Sequence, residues 1–158
     1  MPAERSKAVL FSSDSDEWPT PQWLFDQLNQ EFRFTLDPCA TPESAKCDRY
    51  YTQADNGLTR DWGTESVFMN PPYSEVSDWM GRAFGASIEG ATVVCLVPSR
   101  TDTAWWHDYA MKGEIRFVRG RLRFGDATAN APFPSAIVIF RPPCHQFLSV
   151  DLQQGLNL

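Results

Sequence analysis

The stretch Ser66-Val67-Phe68-Met69-Asn70-Pro71-Pro72-Tyr73-Ser74 decides how the rest of the chain is read. Its apolar run, Val67-Phe68-Met69, has the length and composition of a buried strand end. The residues that follow form a rigid corner. Two consecutive prolines fix φ twice and remove two backbone donors. Pro72 restricts Pro71, and Pro71 restricts Asn70. The corner Asn70-Pro71-Pro72-Tyr73 therefore offers an amide side chain, carbonyls without competing donors, and an aromatic ring in one place. A core strand ends this way where something flat and polar binds.

Working outward, two more strands end on similar corners. Phe34-Thr35-Leu36 runs into Asp37-Pro38-Cys39-Ala40, and the β-rich run Thr92 to Val97 runs into Pro98-Ser99-Arg100. Arg49 to Thr52 and Ser135 to Phe140 are further strands. Residues 114–118 and 121–125 alternate around Arg119-Gly120 and predict a β-hairpin. Residues 21–32 repeat Trp23, Leu24, Phe25, Leu28 and Phe32 at helical spacing, with Thr20 as the cap and Pro21 at the first position. A second helix is predicted over 75–88, stopped at Gly90, and a short one over 102–111. Asp55-Asn56-Gly57 is a turn, and Asp61-Trp62-Gly63 another short element. Strands alternating with helices, then a hairpin and a strand, predict a single α/β domain. Its sheet is mostly parallel, with an antiparallel strand near the C-terminal end. In such sheets ligands sit beyond the carboxyl ends of the strands, where the three corners converge. The expected organisation is an arm over 1–15, a domain over 16–143 and a tail over 144–158.

The composition suits one domain with a proper core: 158 residues, 42% hydrophobic, 13% aromatic. No apolar run approaches the roughly 20 residues of a membrane helix, and Met1 to Lys7 lacks a signal-peptide apolar region. A soluble intracellular protein is expected. Cys39, Cys47, Cys95 and Cys144 form no C-x-x-C pair, so no metal site is expected and the thiols read as reduced packing residues. The net charge of -6 weighs against nucleic acid, but residues 112–123 gather Lys112, Arg116, Arg119, Arg121 and Arg123 against Glu114 alone.

The corner at Asn70 suits one chemistry well. The amine on a planar ring is a poor nucleophile because its lone pair is delocalised. The Asn70 side-chain oxygen and a carbonyl of Pro71-Pro72 can accept both its hydrogens and free that lone pair. Tyr73 can stack on the ring. Such a site works by orientation and polarisation, without a strong base.

Asn70-Pro71-Pro72-Tyr73 resembles the catalytic motif of S-adenosylmethionine-dependent amino methyltransferases. The ordered set WPTPQWLFDQLNQEF, DPCA, DNGL, VFMNPPYS and VPSRTDTAWWH, over roughly residues 16–141, resembles the phage-type DNA N6-adenine methyltransferase family. The resemblance implies a Rossmann-like methyltransferase domain using S-adenosylmethionine, with DNA as partner and the target base flipped out. It implies a phage- or prophage-encoded protein in a bacterial cytoplasm, monomer or homodimer. Asn70, Pro71, Pro72 and Tyr73 take the catalytic roles. Thr20, Pro21, Asp37, Pro38 and Cys39 line the cofactor site, and Asp55, or else Asp61, holds the cofactor ribose. Many relatives follow the Asp-Pro turn with a Gly-x-Gly loop; here there is no glycine until Gly57, so the backbone must cradle the cofactor differently. Arg100, Trp105, Arg119, Arg121 and Arg123 are the DNA-facing set.

Other readings stay open for several of these. Asp37 and Asp55 also read as turn residues, the arginine stripe as a solvated strand face, and one of Trp105 and Trp106 as core. His107 reads as structural. A protein glutamine methyltransferase uses a similar corner, and an inactive relative that binds DNA or cofactor is the non-enzymatic alternative.

Overall fold

A computed structural model describes residues 18–126 and 128–143. The expected arm and tail lie outside the described residues. Six strands form one sheet in the order β2-β1-β3-β4-β6-β5. They are β1 (Leu36–Asp37), β2 (Arg49–Tyr50), β3 (Ser66–Met69), β4 (Thr92–Pro98), β5 (Glu114–Phe117) and β6 (Ser135–Phe140). β2, β1, β3 and β4 run parallel, and β6 is antiparallel to both its neighbours, as expected from the order of elements.

Helices α1 (Gln22–Phe32), α2 (Val76–Glu89) and α3 (Ala104–Asp108) cover the sheet. The period-2 geometry of the strands splits the core in two. Val67, Met69, Val93, Cys95 and Val97 face α2 and α3, meeting Trp79, Met80, Ala83 and Trp106. Phe68, Val94, Leu96, Ile137 and Ile139 face α1, meeting Leu24, Phe25 and Leu28. β4 and β6 are buried on both faces, which is why they read as unbroken apolar runs. The apolar side chains so buried contribute roughly 1.5–3 kcal/mol each. α2 ends at Gly90, whose φ of 123° is open only to glycine at low cost.

Four expectations change. The hairpin across Arg119-Gly120 does not form. β5 pairs with β6 instead, Glu114 opposite Ile139 and Phe117 opposite Ala136. Residues 121–124 join no strand, the Leu122 carbonyl accepting the Ala131 N–H at 2.7 Å, and their apolar members Leu122 and Phe124 enter the core against α1. Second, Thr20 does not cap α1. Pro21 takes the cap position, its carbonyl accepts from Leu24 and Phe25, and no side chain caps the helix. Third, Asp61-Trp62-Gly63 forms no regular element; Trp62 is fully buried, its indole N–H donating to the Gly57 carbonyl at 2.9 Å. The helix over 102–111 is shorter than expected, α3 followed by one 3-10 turn, Ala110–Lys112. Among the described residues no helix is long and apolar enough to cross a membrane.

Candidate active site

β1 and β3 end side by side at the carboxyl end of the parallel strands. A cleft of about 530 Å³ opens there, lined by residues of the Asp37 corner, the Asn70 corner and the segment before α1. Thr20, Asp37, Pro38, Cys39, Asn70, Pro71 and Pro72 all line it. The third corner stands apart, for a physical reason. β3 ends opposite Cys95, while β4 continues through Leu96 and Val97 to Pro98, still paired with β6. Three residues at roughly 3.3 Å each carry the Ser99 corner about 10 Å past the end of β3. Ser99 is tied there to Pro134, its N–H donating to the proline carbonyl at 2.9 Å.

At the Asn70 corner the side-chain Nδ2 donates to the Trp18 carbonyl at 2.5 Å and to Thr20 Oγ1 at 2.9 Å. Asn70 Oδ1 is buried and has no hydrogen-bond partner. Tyr73 is buried, packed edge-on against Phe133 with ring centroids 5.5 Å apart. Its hydroxyl is also unpartnered. Burial, with the neighbouring Cys39 thiol, pushes its ionisation far above the usual phenol range, and Arg100 opposes this weakly. The ring meets Phe133 instead of open solvent, so stacking on a substrate requires Phe133 to give way.

Asp37 closes the other half. Its Oδ1 accepts the Cys39 N–H at 3.4 Å and its Oδ2 the Lys46 N–H at 3.1 Å. Burial raises its carboxyl from 3.8 to about 6, against the pull of those two backbone donors. The cysteine thiol of Cys39 is pushed well above its usual range, first by burial and then by Asp37.

The structure also shows how the chain manages without a glycine after Asp37-Pro38. Gly57 comes up against that turn from the next loop. A Cβ on Gly57 would stand 2.0 Å from the Pro38 carbonyl oxygen, so only glycine allows this approach. Asn56, at φ 55°, turns the chain to deliver it. Trp79 lies on the same side, and its Nε1 is buried without a partner.

The remaining assignments separate. Pro21 is buried at the start of α1 and does not line the cleft. Asp55 also falls outside the lining; its carboxylate accepts from the Thr52 N–H and hydroxyl, both at 2.9 Å, which holds it below the usual carboxylate range. Asp61 lies in a separate shallow groove with Arg60 and Arg82, its carboxylate accepting the Gly63 N–H at 2.8 Å. Trp105 is buried against Trp106 and belongs to the core, not to a DNA-facing set. His107 bonds the Thr101 carbonyl at 2.8 Å. Arg119, Arg121 and Arg123 are each exposed but do not lie on a strand; Leu122, between the last two, is buried, and Arg123 Nε donates to Asn130 Oδ1 at 3.1 Å. Arg100 is exposed as well.

Trp18, Gly57, Asn56 and Trp79 were not assigned from sequence. Trp18 acts through its carbonyl, which leaves no sequence signal. Gly57 alone had one, as the first glycine after the Asp-Pro turn. Among the described residues no cluster of His, Cys, Asp and Glu could hold a metal ion.

A parallel α/β sheet with one reversed strand, and a polar cleft shared by Asp-Pro and Asn-Pro-Pro-Tyr corners, defines a Rossmann-like methyltransferase domain. Comparison with known proteins narrows the class. The pattern of the DNA N-6-adenine-methyltransferase (Dam) family matches residues 7–153, and the chain belongs to that family. It is 32% identical over 149 residues to the DNA N-6-adenine-methyltransferase of Haemophilus phage HP1, covering 87% of this chain and 85% of the relative. It is 31% identical over 151 residues to that of Escherichia phage T1, covering 80% of this chain and 63% of the relative.

Proposed function

We propose that this member of the family methylates the exocyclic N6 of adenine in DNA, with S-adenosylmethionine as donor and the base flipped into the Asn70 corner. One observation carries the reading: Asn70 Oδ1 is a buried acceptor without a donor, fixed at the end of a core strand beside a polar cleft. An acceptor left in that state costs about 1–3 kcal/mol until a donor arrives. An adenine amine is such a donor.

Asn70 Oδ1 and the Pro71 carbonyl accept hydrogen bonds from the two N6 hydrogens and turn the nitrogen lone pair out of the ring system; the nitrogen, cationic once methylated, then sheds one of those protons to solvent. Tyr73 holds the base from one side once Phe133 yields. S-adenosylmethionine supplies an electrophilic methyl group on a sulfonium, whose displacement leaves a neutral thioether. The residues of the Asp37 half fit this donor. The Asp37 carboxylate suits its ammonium, the Trp79 indole N–H its ribose or base acceptors, and the close approach at Gly57 leaves a backbone surface on which it can lie. Arg100, Arg119, Arg121 and Arg123 supply phosphate contacts, which position DNA without reading its sequence. The setting is the cytoplasm of a bacterial host of a phage or prophage.

Transfer of a labelled methyl group to DNA, with N6-methyladenine as the product, is the expected result. Label found only in protein would replace this reading by a glutamine methyltransferase, and no label by a binding protein.

A further inference from the structure

The proposed chemistry needs the Asn70 amide to present oxygen, and an amide on a free side chain turns either way. Here an obligate acceptor, the Trp18 carbonyl, makes the choice, and Thr20 Oγ1 accepts from the same NH2. The Trp18 carbonyl and Thr20 Oγ1 both lie within hydrogen-bond reach of one end of the amide, at 2.5 and 2.9 Å. A carbonyl oxygen only accepts, so the group facing it is the NH2. Oδ1 is thereby turned the other way, and it is this atom that is buried without a partner.

The clamp is itself held in place. Trp18, Pro19 and Thr20 lead into α1 with prolines at 19 and 21 limiting the backbone. The Pro19 carbonyl accepts the Gly125 N–H at 2.8 Å. Gly125 has φ 54°, and its Cα side packs on the Pro19 ring, where an added Cβ would come within 3.4 Å. Thr20 makes no cap bond to α1, which leaves its hydroxyl for Asn70. Thr20 is 6% exposed, and its β-branched side chain has little rotamer freedom there.

We propose that Thr20 is a positioning residue: with the Trp18 carbonyl it holds the Asn70 amide in the one orientation that offers oxygen to the substrate amine. The proposal rests on the role given to Asn70 above and extends it to a residue that touches no reacting atom. It also separates Thr20 from the donor-binding residues, although Thr20 lines the same cleft.

The test compares Thr20→Val, which keeps the shape and loses the acceptor, with Thr20→Ser, which keeps the acceptor. Under single turnover with saturating S-adenosylmethionine and DNA, the valine variant transfers methyl about thirtyfold more slowly, the serine variant within about threefold of wild type. S-adenosylmethionine affinity, read by calorimetry, stays within about twofold in both, since the amide clamp binds no donor. In an Asn70→Ala background the valine change has no further effect on rate. Thr20→Ala repeats the comparison if the valine variant does not fold. A valine variant that loses donor affinity at unchanged transfer rate would overturn the proposal, as would failure of serine to rescue. One arm needs no activity: exchange of the Asn70 side-chain amide hydrogens with water, followed by NMR in the unliganded protein, speeds about tenfold in the valine variant. Unchanged exchange overturns the clamp, whereas an inactive wild type with faster exchange in the variant would sink only the functional reading.

Discussion

The carboxylate of the Asp37 corner is already satisfied, whereas at the Asn70 corner Asn70 Oδ1 and the Tyr73 hydroxyl are buried and unpaired, as is Trp79 Nε1 beside Gly57. Asp37 holds two backbone donors. Across the cleft, Asn70 Oδ1 and the Tyr73 hydroxyl have no partner. The covering differs in the same sense. Residues 41–58 bring exposed polar side chains such as Ser44, Gln53 and Asn56 to the cleft. The base half is roofed by rings: Phe133 lies 5.1 Å from Trp18, 5.5 Å from Tyr73 and 5.9 Å from Phe124. Under the proposed function the Asp37 side would be the donor half and the Asn70 side the base half, where a substrate amine would pair the buried Asn70 Oδ1.

The sharpest way to break the comparison is Asn70→Ala. It should cut methyl transfer about 10³-fold, the scale of losing a preorganised polar contact to a reacting group. Donor affinity, measured by calorimetry, should stay near wild type. Near wild-type transfer would remove Asn70 from the chemistry, and a matching loss of donor affinity would mean the halves are not separable.

Next in size is the joint replacement of Arg119, Arg121 and Arg123 by alanine. With two of the three on phosphates, DNA affinity near 0.1 M salt should fall about 100-fold and the slope of log K against log salt by about two. Donor binding should not change. An unaltered slope would leave these exposed arginines a solvated surface.

Gly57→Ala strikes only the donor half. Because its Cβ would meet backbone at 2.0 Å, the Pro38 turn or the Gly57 loop must shift. A misplacement of that kind should weaken S-adenosylmethionine about thirtyfold while DNA binding persists. Intact donor affinity would show that the backbone approach does not shape the donor site.

These expectations also mark how far the residues could be read in advance. β3, β4 and β6 were legible because both faces of each strand are covered, leaving continuous apolar runs between turn residues. The Asn70 corner was legible because two prolines leave its backbone few choices. The hairpin was misplaced because alternation reports which side of a chain is covered, not what covers it. Leu122 and Phe124 meet α1-side core residues where a strand partner was expected. Asp55 was drawn to the ribose by its position after β2, and the structure shows its Oδ2 accepting from the Thr52 N–H and hydroxyl, outside the cleft lining. Gly57 was noticed without being placed, since its need arises from Pro38, distant in sequence. Trp79 is a core position of α2, and only packing shows its indole N–H left over.

The smallest effect sharpens the comparison by sign. Asp37 is raised from 3.8 to about 6 by burial, with the Cys39 and Lys46 amides holding it back only in part. Because the folded value exceeds the unfolded one, the folded state keeps the extra proton between about pH 4 and 6. Stability from this group is fully present below about pH 4 and is lost as pH rises through about 6, on the order of 3 kcal/mol in all. Denaturation of the unliganded protein should follow that trend, and Asp37→Asn should flatten it. The donor pulls the other way. Its ammonium favours the carboxylate, so affinity should rise with pH, about tenfold per unit below 6, before levelling. Binding in that window then releases a proton, which calorimetry in buffers of different ionisation enthalpy detects. Asn70 carries no charge, so with donor saturating the transfer rate should lack this titration. A donor affinity independent of pH from 5 to 7 would take Asp37 away from the ammonium. A transfer rate that titrates near 6 at saturating donor would couple the two halves that the structure keeps apart.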